Sequence, residues 1–181
     1  MGCDIHLAVE KRRRNAFADE RWQGVSIFGE FSHRIYGMFA RMAIVRDYGF
    51  DTRVMFEPRG LPKDISRSSE GIFYMMVTDN DEAIEWGRGY CSKKTAERWV
   101  EQGRSVWVDD EHHTFTDPDH HSHSWLTTQE LRQCFDDCFK NDDGTYKEIA
   151  DFADYLGLVS LCEGIESSGL YECRVVFAFD N

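Results

Sequence analysis

From residue 3 to residue 10 the chain alternates in polarity. Cys3, Ile5, Leu7 and Val9 fall on one side, and Asp4, His6, Ala8 and Glu10 on the other. A period of two predicts a strand with one apolar face. Residues 172–179, ECRVVFAF, alternate Val175, Phe177 and Phe179 with Arg174, Val176 and Ala178. Their nearly continuous apolar content predicts a central strand buried on both faces. Residues 71–77 (GIFYMMV) and 104–108 (RSVWV) read as further strands, and 21–28 (RWQGVSIF) carries a weaker version of the pattern.

Between these lie helical periods. Ile35, Met38, Phe39, Met42 and Val45 make a stripe over 34–46 that reads as core. A helix is expected after Thr78 or Asp79, and another from about Ser92 to a stop at Gly103. Thr127 and Glu130 form a capping box ahead of the stripe Leu131, Cys134, Phe135, Cys138 and Phe139, predicting a helix to about Lys140. After the turn NDDG, Thr145 and Glu148 repeat the box and predict a helix to about Leu156. There is no internal repeat or linker. The expectation is one α+β domain over residues 1–181: a mainly antiparallel or mixed sheet that includes the N- and C-terminal strands, packed by about four to five helices.

Two stretches, 47–70 and 109–125, show no period and contain all three prolines, Pro58, Pro62 and Pro118. Long irregular segments in a compact domain are usually functional or disordered, so the chemistry is sought there.

Composition narrows the field. A chain of 181 residues, 41% hydrophobic and 14% aromatic, can bury a core without staples. No apolar run approaches the roughly 20 residues needed to span a bilayer, and the charge at the N-terminus follows the apolar stretch, the reverse of a secretory signal. A cytoplasmic protein with reduced thiols is therefore expected. The six cysteines include no C-x-x-C pair, which excludes a zinc ribbon and a thioredoxin-type motif. A net charge of −12 opposes direct nucleic-acid binding.

Within DPDHHSHSW, residues 117–125, Asp119, His121 and His123 recur two apart, so an extended backbone would place the imidazoles of His121 and His123 side by side toward one cation. Over Asp119–Ser124 the spacing is similar to the first motif of the polymerase-and-histidinol-phosphatase phosphoesterases, which gather divalent metals. This chain is too short for that family's barrel, so the similarity concerns local chemistry. Asp4 and His6 on the first strand would complete a mixed N/O set with His121 and His123, suited to one divalent zinc, manganese or iron ion. The alternatives are a solvent-exposed His-rich loop, and an Asp4–His6 pair that steadies its own strand. In EPRGLPKDIS, residues 57–66, Arg59 on a turn shaped by Gly60 and Pro62 suits a carboxylate or phosphate, with Asp64 and Ser66 close behind. It equally suits a salt bridge to Asp64 or Glu57. Ser122 and Ser124, beside Trp125 and a helix start at Thr127, add an anion seat.

Together, MGCDIH at the start, RGLPKDIS, HSHSWLTTQEL and the final RVVFAFDN resemble an uncharacterised family of small bacteriophage proteins. The resemblance implies a phage origin and an accessory role in the host cytoplasm, and it singles out Asp4, His6, Arg59, Pro62, Asp64, His121, His123, Trp125, Asp180 and Asn181. The resulting expectation is a metal-dependent hydrolase acting on a small phosphorylated or nucleotide-like ligand. The alternative is a binding protein that sequesters such a signal, as a homo-oligomer closing the pocket, or that inhibits a host defence protein.

Overall fold

The computed structural model describes residues 5–15, 17, 20–25, 54–79, 89–147 and 152–180. The fold is α+β. Strands β1 (Ile5–Arg13), β2 (Gln23–Gly24), β6 (His120–Thr127) and β7 (Tyr171–Asp180) form one antiparallel sheet in the order β2-β1-β7-β6. Strands β3 (Tyr74–Thr78), β4 (Tyr90–Ser92) and β5 (Thr114–Thr116) form a second, in the order β4-β3-β5, with β3 and β4 parallel. Four helices are described: α1 (Arg67–Phe73), α2 (Lys93–Glu101), α3 (Thr128–Phe139) and α4 (Phe152–Glu166). None of them is long and apolar enough to cross a membrane.

The two terminal strands pair over their whole length, from Ile5 opposite Phe179 to Arg13 opposite Tyr171. Because paired residues share a face, the alternation seen in the sequence becomes two layers. Ile5, Leu7, Val9, Val175, Phe177 and Phe179 meet α3 and α4 through Leu131, Phe135, Tyr155, Leu158 and Cys162 in the main core. On the opposite face Ala8, Val176 and Ala178 pack against Ile65 and Phe73. That apolar centre is flanked by Glu10 and Arg174 toward one end and by His6 and Asp180 toward the other. A third core, Met75, Cys91, Ala96, Trp99 and Phe115, joins α2 to the small sheet. No disulfide joins the described cysteines.

Local signals explain where elements begin and end. Thr127 accepts from the Glu130 N–H while Glu130 returns a bond to the Thr127 N–H, the predicted capping box of α3. Ser92 caps α2, which stops before Gly103 in the left-handed region (φ 71°), as predicted.

Elsewhere the pattern misled. Residues 71–73 of the expected strand 71–77 are helical, because the Ser66 hydroxyl caps Ser69 and starts α1; the strand begins only at Tyr74. In 104–108 only Trp107 bridges to Phe115, since Val106 and Val108 remain 62% and 44% exposed and no core meets their alternation. The stretch 109–125 is not irregular but holds β5 and most of β6. Thr145 starts no helix by residue 147: Asp143 takes both its N–H and its hydroxyl, and Tyr146 bridges Lys140. Helix α4 runs on to Glu166, ten residues past the expected end at Leu156, because it carries apolar residues around most of its circumference and tolerates Gly157 inside it. The expected helix 34–46, most of the one after Asp79, residues 26–28, Glu148, Cys3, Asp4 and Asn181 lie outside the described residues.

Candidate functional site

The chain leaves the small sheet at Thr116 and enters the large one at His120. Between them Asp117 holds the turn, its carbonyl accepting from the His120 N–H and its carboxylate from the Asp119 N–H. Three histidines gather at this corner. His6 on β1 lies with its ring centroid 4.4 Å from that of His120, and His120 lies 6.2 Å from His123. The His6 Nε2–H donates to Asp180 Oδ2 at 3.0 Å, which leaves Nδ1 as the ring nitrogen not engaged by Asp180.

A β-bulge creates this grouping. His121 pairs with Phe179 and Ser124 with Phe177, so Ser122 and His123 together stand opposite the single Ala178. Ser122 takes φ 51°, a left-handed conformation that a non-glycine residue adopts at a cost of about 1 kcal/mol or more. The extra residue breaks the alternation on which the side-by-side reading of His121 and His123 depended. His121 stacks on Phe179 (5.8 Å, 23°) and bonds to the Ser122 hydroxyl at 2.9 Å, whereas His123 sits with His120. Of the residues expected to hold a metal, His6 and His123 belong to the corner, His121 is turned to Phe179, and Asp4 lies outside the described residues.

His120 is 9% exposed, and its Nδ1 and the His123 Nε2 are buried without a hydrogen-bond partner among the described residues. Burial, with smaller contributions from neighbouring imidazoles, lowers both groups; His123 comes down to about 4. Both rings are therefore neutral at pH 7, with lone pairs to offer. The Asp119 carboxyl leans the other way. Burial raises the Asp119 carboxyl, and the nearby Asp117 and Asp180 push it further, although Arg104 Nη2 donates to it at 3.1 Å. Neutral imidazole nitrogens beside crowded carboxylates suit a cation. Even so, no three His, Cys, Asp or Glu side chains among the described residues are already gathered at metal-holding geometry.

The residues expected to bind an anion are bonded to other parts of the protein. Arg59 makes a two-pronged bond to Glu130, including Nη1 to Oε2 at 2.9 Å, and lies 4.7 Å above the Trp125 ring. Its partner is thus neither Asp64 nor Glu57 but the capping-box carboxylate of α3. The Arg59 N–H donates to the buried Ser124 hydroxyl, and the N–H of Gly60, in the left-handed region at φ 74°, donates to the His123 carbonyl at 2.9 Å. Asp64 meets Arg174 at 2.8 Å, the Trp22 indole at 3.0 Å and Arg12 at 3.2 Å. Burial would raise its carboxyl, but Arg174 and Trp22 hold it below the usual range. Ser66 caps α1, and its N–H donates to buried Glu10, which also pairs with Arg174 at 2.7 Å. These bonds fix the loop 57–66 to β6 and β1, so that it forms a wall.

That wall borders two connected hollows. A cleft of about 600 Å³ contains His120, His121, Ser122, His123, Asp119 and Arg104. A groove of about 1090 Å³ runs from His123 past Val106 and Thr116, which line both. Its lining also carries Lys63, Arg67, Tyr74 and Tyr90.

The sequence reading missed His120 and the partnership of Asp180 with His6. The latter was within reach: once the two terminal strands are paired antiparallel, His6 faces Ala178, and Asp180 becomes its diagonal neighbour. His120 could not be found, because only the bulge at Ser122 puts it with His123.

Comparison with protein-family models, curated proteins and solved structures finds no match to this chain.

Proposed function

We propose that the protein is a phage accessory hydrolase that binds a small phosphorylated, nucleotide-like ligand in the corner formed by His6, Asp180, His120 and His123. The observation that carries this reading is the pair of buried, neutral imidazole nitrogens, His120 Nδ1 and His123 Nε2, which have no hydrogen-bond partner among the described residues and belong to side chains that line the polar cleft. Buried polar atoms are almost always satisfied, and an unsatisfied pair beside an aspartate-oriented histidine supports a functional reading. The donor set of imidazoles and carboxylates suits one divalent zinc, manganese or iron ion. Bound by His120 and His123 and completed by the ligand's own oxygens, such an ion would polarise the phosphoester. Asp180 orients the His6 ring, and the His6 Nδ1 lone pair accepts a proton from the attacking water as its oxygen bonds to phosphorus; the ester P–O bond breaks, and the leaving oxygen takes a proton from solvent water. Arg104 pairs with the Asp119 carboxylate, which offsets its repulsion of the ligand's phosphate.

The test is a panel of aryl phosphates and nucleotides assayed with zinc, manganese or iron(II) and with chelator. Turnover that needs metal and disappears in His120→Ala and His123→Ala supports the hydrolase. Equal absence of turnover throughout, in protein that is folded and loaded with metal, contradicts it.

A second reading is sequestration of the same ligand without turnover, through the same polar cleft of His120, His123 and Arg104. It predicts tight binding of a ligand that is recovered unchanged.

A further inference from the structure

The groove beyond His123 differs from the histidine corner in chemistry. Its walls include Met76, Val106 and Val108, which are 61%, 62% and 44% exposed and leave apolar surface uncovered. Tyr74 and Tyr90 stand among them, half-buried, with hydroxyls that make no hydrogen bond to the described residues. Lys63 and Arg67 sit at its rim, exposed and with no ion-pair partner among the described residues. Arg21 is spent on Glu70 at 2.8 Å, and Asp109, the other acid in the lining, is turned to the N–H groups of His113 and Thr114. In a chain of net charge −12 this is a local positive rim on an apolar, hydroxyl-bearing trough.

A planar ring bearing phosphate matches that combination: apolar atoms cover its faces, phenol hydroxyls meet its edge and cations take its charge. The volume, about 1090 Å³, exceeds what a sugar phosphate or inorganic phosphate needs. Resting on the reading of the corner as a phosphoester site, we infer that this groove is the base-binding subsite, so that the ligand class is nucleotides, with the base over Val106 and Met76 and the phosphate held between Lys63, Arg67 and the histidine corner. The loop carrying Lys63 is tied to the corner through Gly60 and the His123 carbonyl, which keeps the two parts in register.

Isothermal titration calorimetry in chelator separates binding from turnover. The probes are the four ribonucleoside 5′-monophosphates, ribose 5-phosphate and inorganic phosphate, each titrated into the wild type, Val106→Asp and Lys63→Ala/Arg67→Ala; all three substituted positions are exposed, so the fold is not at stake. At least one nucleotide is expected to bind about tenfold or more tighter than ribose 5-phosphate, the effect of covering the apolar surface of one base. Val106→Asp is expected to remove that preference, and the double variant to weaken the nucleotides by a similar factor. Nucleotides that bind no tighter than ribose 5-phosphate, or a preference that survives Val106→Asp, would overturn the inference. Nucleotide-selective binding without turnover would uphold the groove and remove the hydrolase, whereas metal-dependent turnover of aryl phosphate without nucleotide preference would do the reverse.

Discussion

His123 illustrates how a single side chain can be tuned by its surroundings. Burial and the rings beside it hold its imidazole at about 4, against an ordinary value of 6.5. Because the unfolded chain takes up protons in that interval and the native chain does not, stability rises with pH through it. The stabilisation is complete above about 6.5 and is lost as pH falls toward 4. His120, lowered for the same main reason, adds to the trend. Urea unfolding between pH 7.5 and 4.5 should show the midpoint falling with acid, and His123→Asn should flatten that slope; an unchanged slope in the variant would refute the assignment. Arg174 is the second case. Its guanidinium, 5% exposed, pairs with Glu10, which is wholly buried, and lies 4.0 Å over the Trp22 ring. Arg174→Met strands the Glu10 carboxylate and should cost about 3–5 kcal/mol, while adding Glu10→Gln should recover much of it. Equal losses in the single and double variants would show that the pair is not coupled. Neither role is legible in the sequence. Arg174 and Glu10 read as ordinary outward positions of strands until β1 and β7 are paired and the loop 57–66 covers them.

At the scale of elements, strand β6 sets the site through one irregularity. Its bulge at Ser122 turns a D-x-H-x-H spacing into two faces: His121 packs on Phe179, and His123 joins His120 and His6. Ser122→Gly should leave the corner intact and change stability by no more than about 1 kcal/mol, since glycine relieves the left-handed strain but adds entropy to the unfolded chain. Ser122→Val should be destabilising by about 1–2 kcal/mol, because a β-branched residue resists positive φ. Thermal unfolding of the two variants ranks them, and the opposite order would deny the bulge. Helix α3 is a simpler element. Its capping box stands in the sequence as TTQE and in the structure as reciprocal bonds, so Thr127→Ala should cost about 1 kcal/mol. The contrast shows what a sequence displays. Caps and periods are local and readable, as for α2, α3, β1 and β7. A bulge is a relation between two strands, and α4, apolar around most of its surface, presents no polar face from which its length could be read.

For the whole molecule, the arrangement of layers explains why one end of the sheet is sealed and the other open. The helix-covered face of β1 and β7 is apolar from Ile5 to Val9 and from Cys173 to Phe179, while the other face is apolar only at its centre, with Glu10 and Arg174 toward one end and His6 and Asp180 toward the other. The first pair is sealed by the loop 57–66 through Asp64 and Ser66. The second opens on the corner where the chain crosses between its two sheets, so the same loop that closes one end forms the wall of the site at the other through Gly60. The polar face of β1 was visible as an alternation that demanded partners, and the sequence placed His6 and His123 in a common site. Arg59, Asp64, Ser66, Ser124 and Trp125 were visible as a constellation too, but they build the wall that shapes the site.

The most direct test is the metal content of tag-free protein, measured by inductively coupled plasma mass spectrometry for the wild type and for His120→Ala, His123→Ala and His121→Ala after equilibration with zinc and desalting. About one equivalent in the wild type and in His121→Ala, lost in both His120→Ala and His123→Ala, is the result predicted here. Metal retained without His120 and His123, or lost only without His121, would contradict the corner as the protein's reactive site.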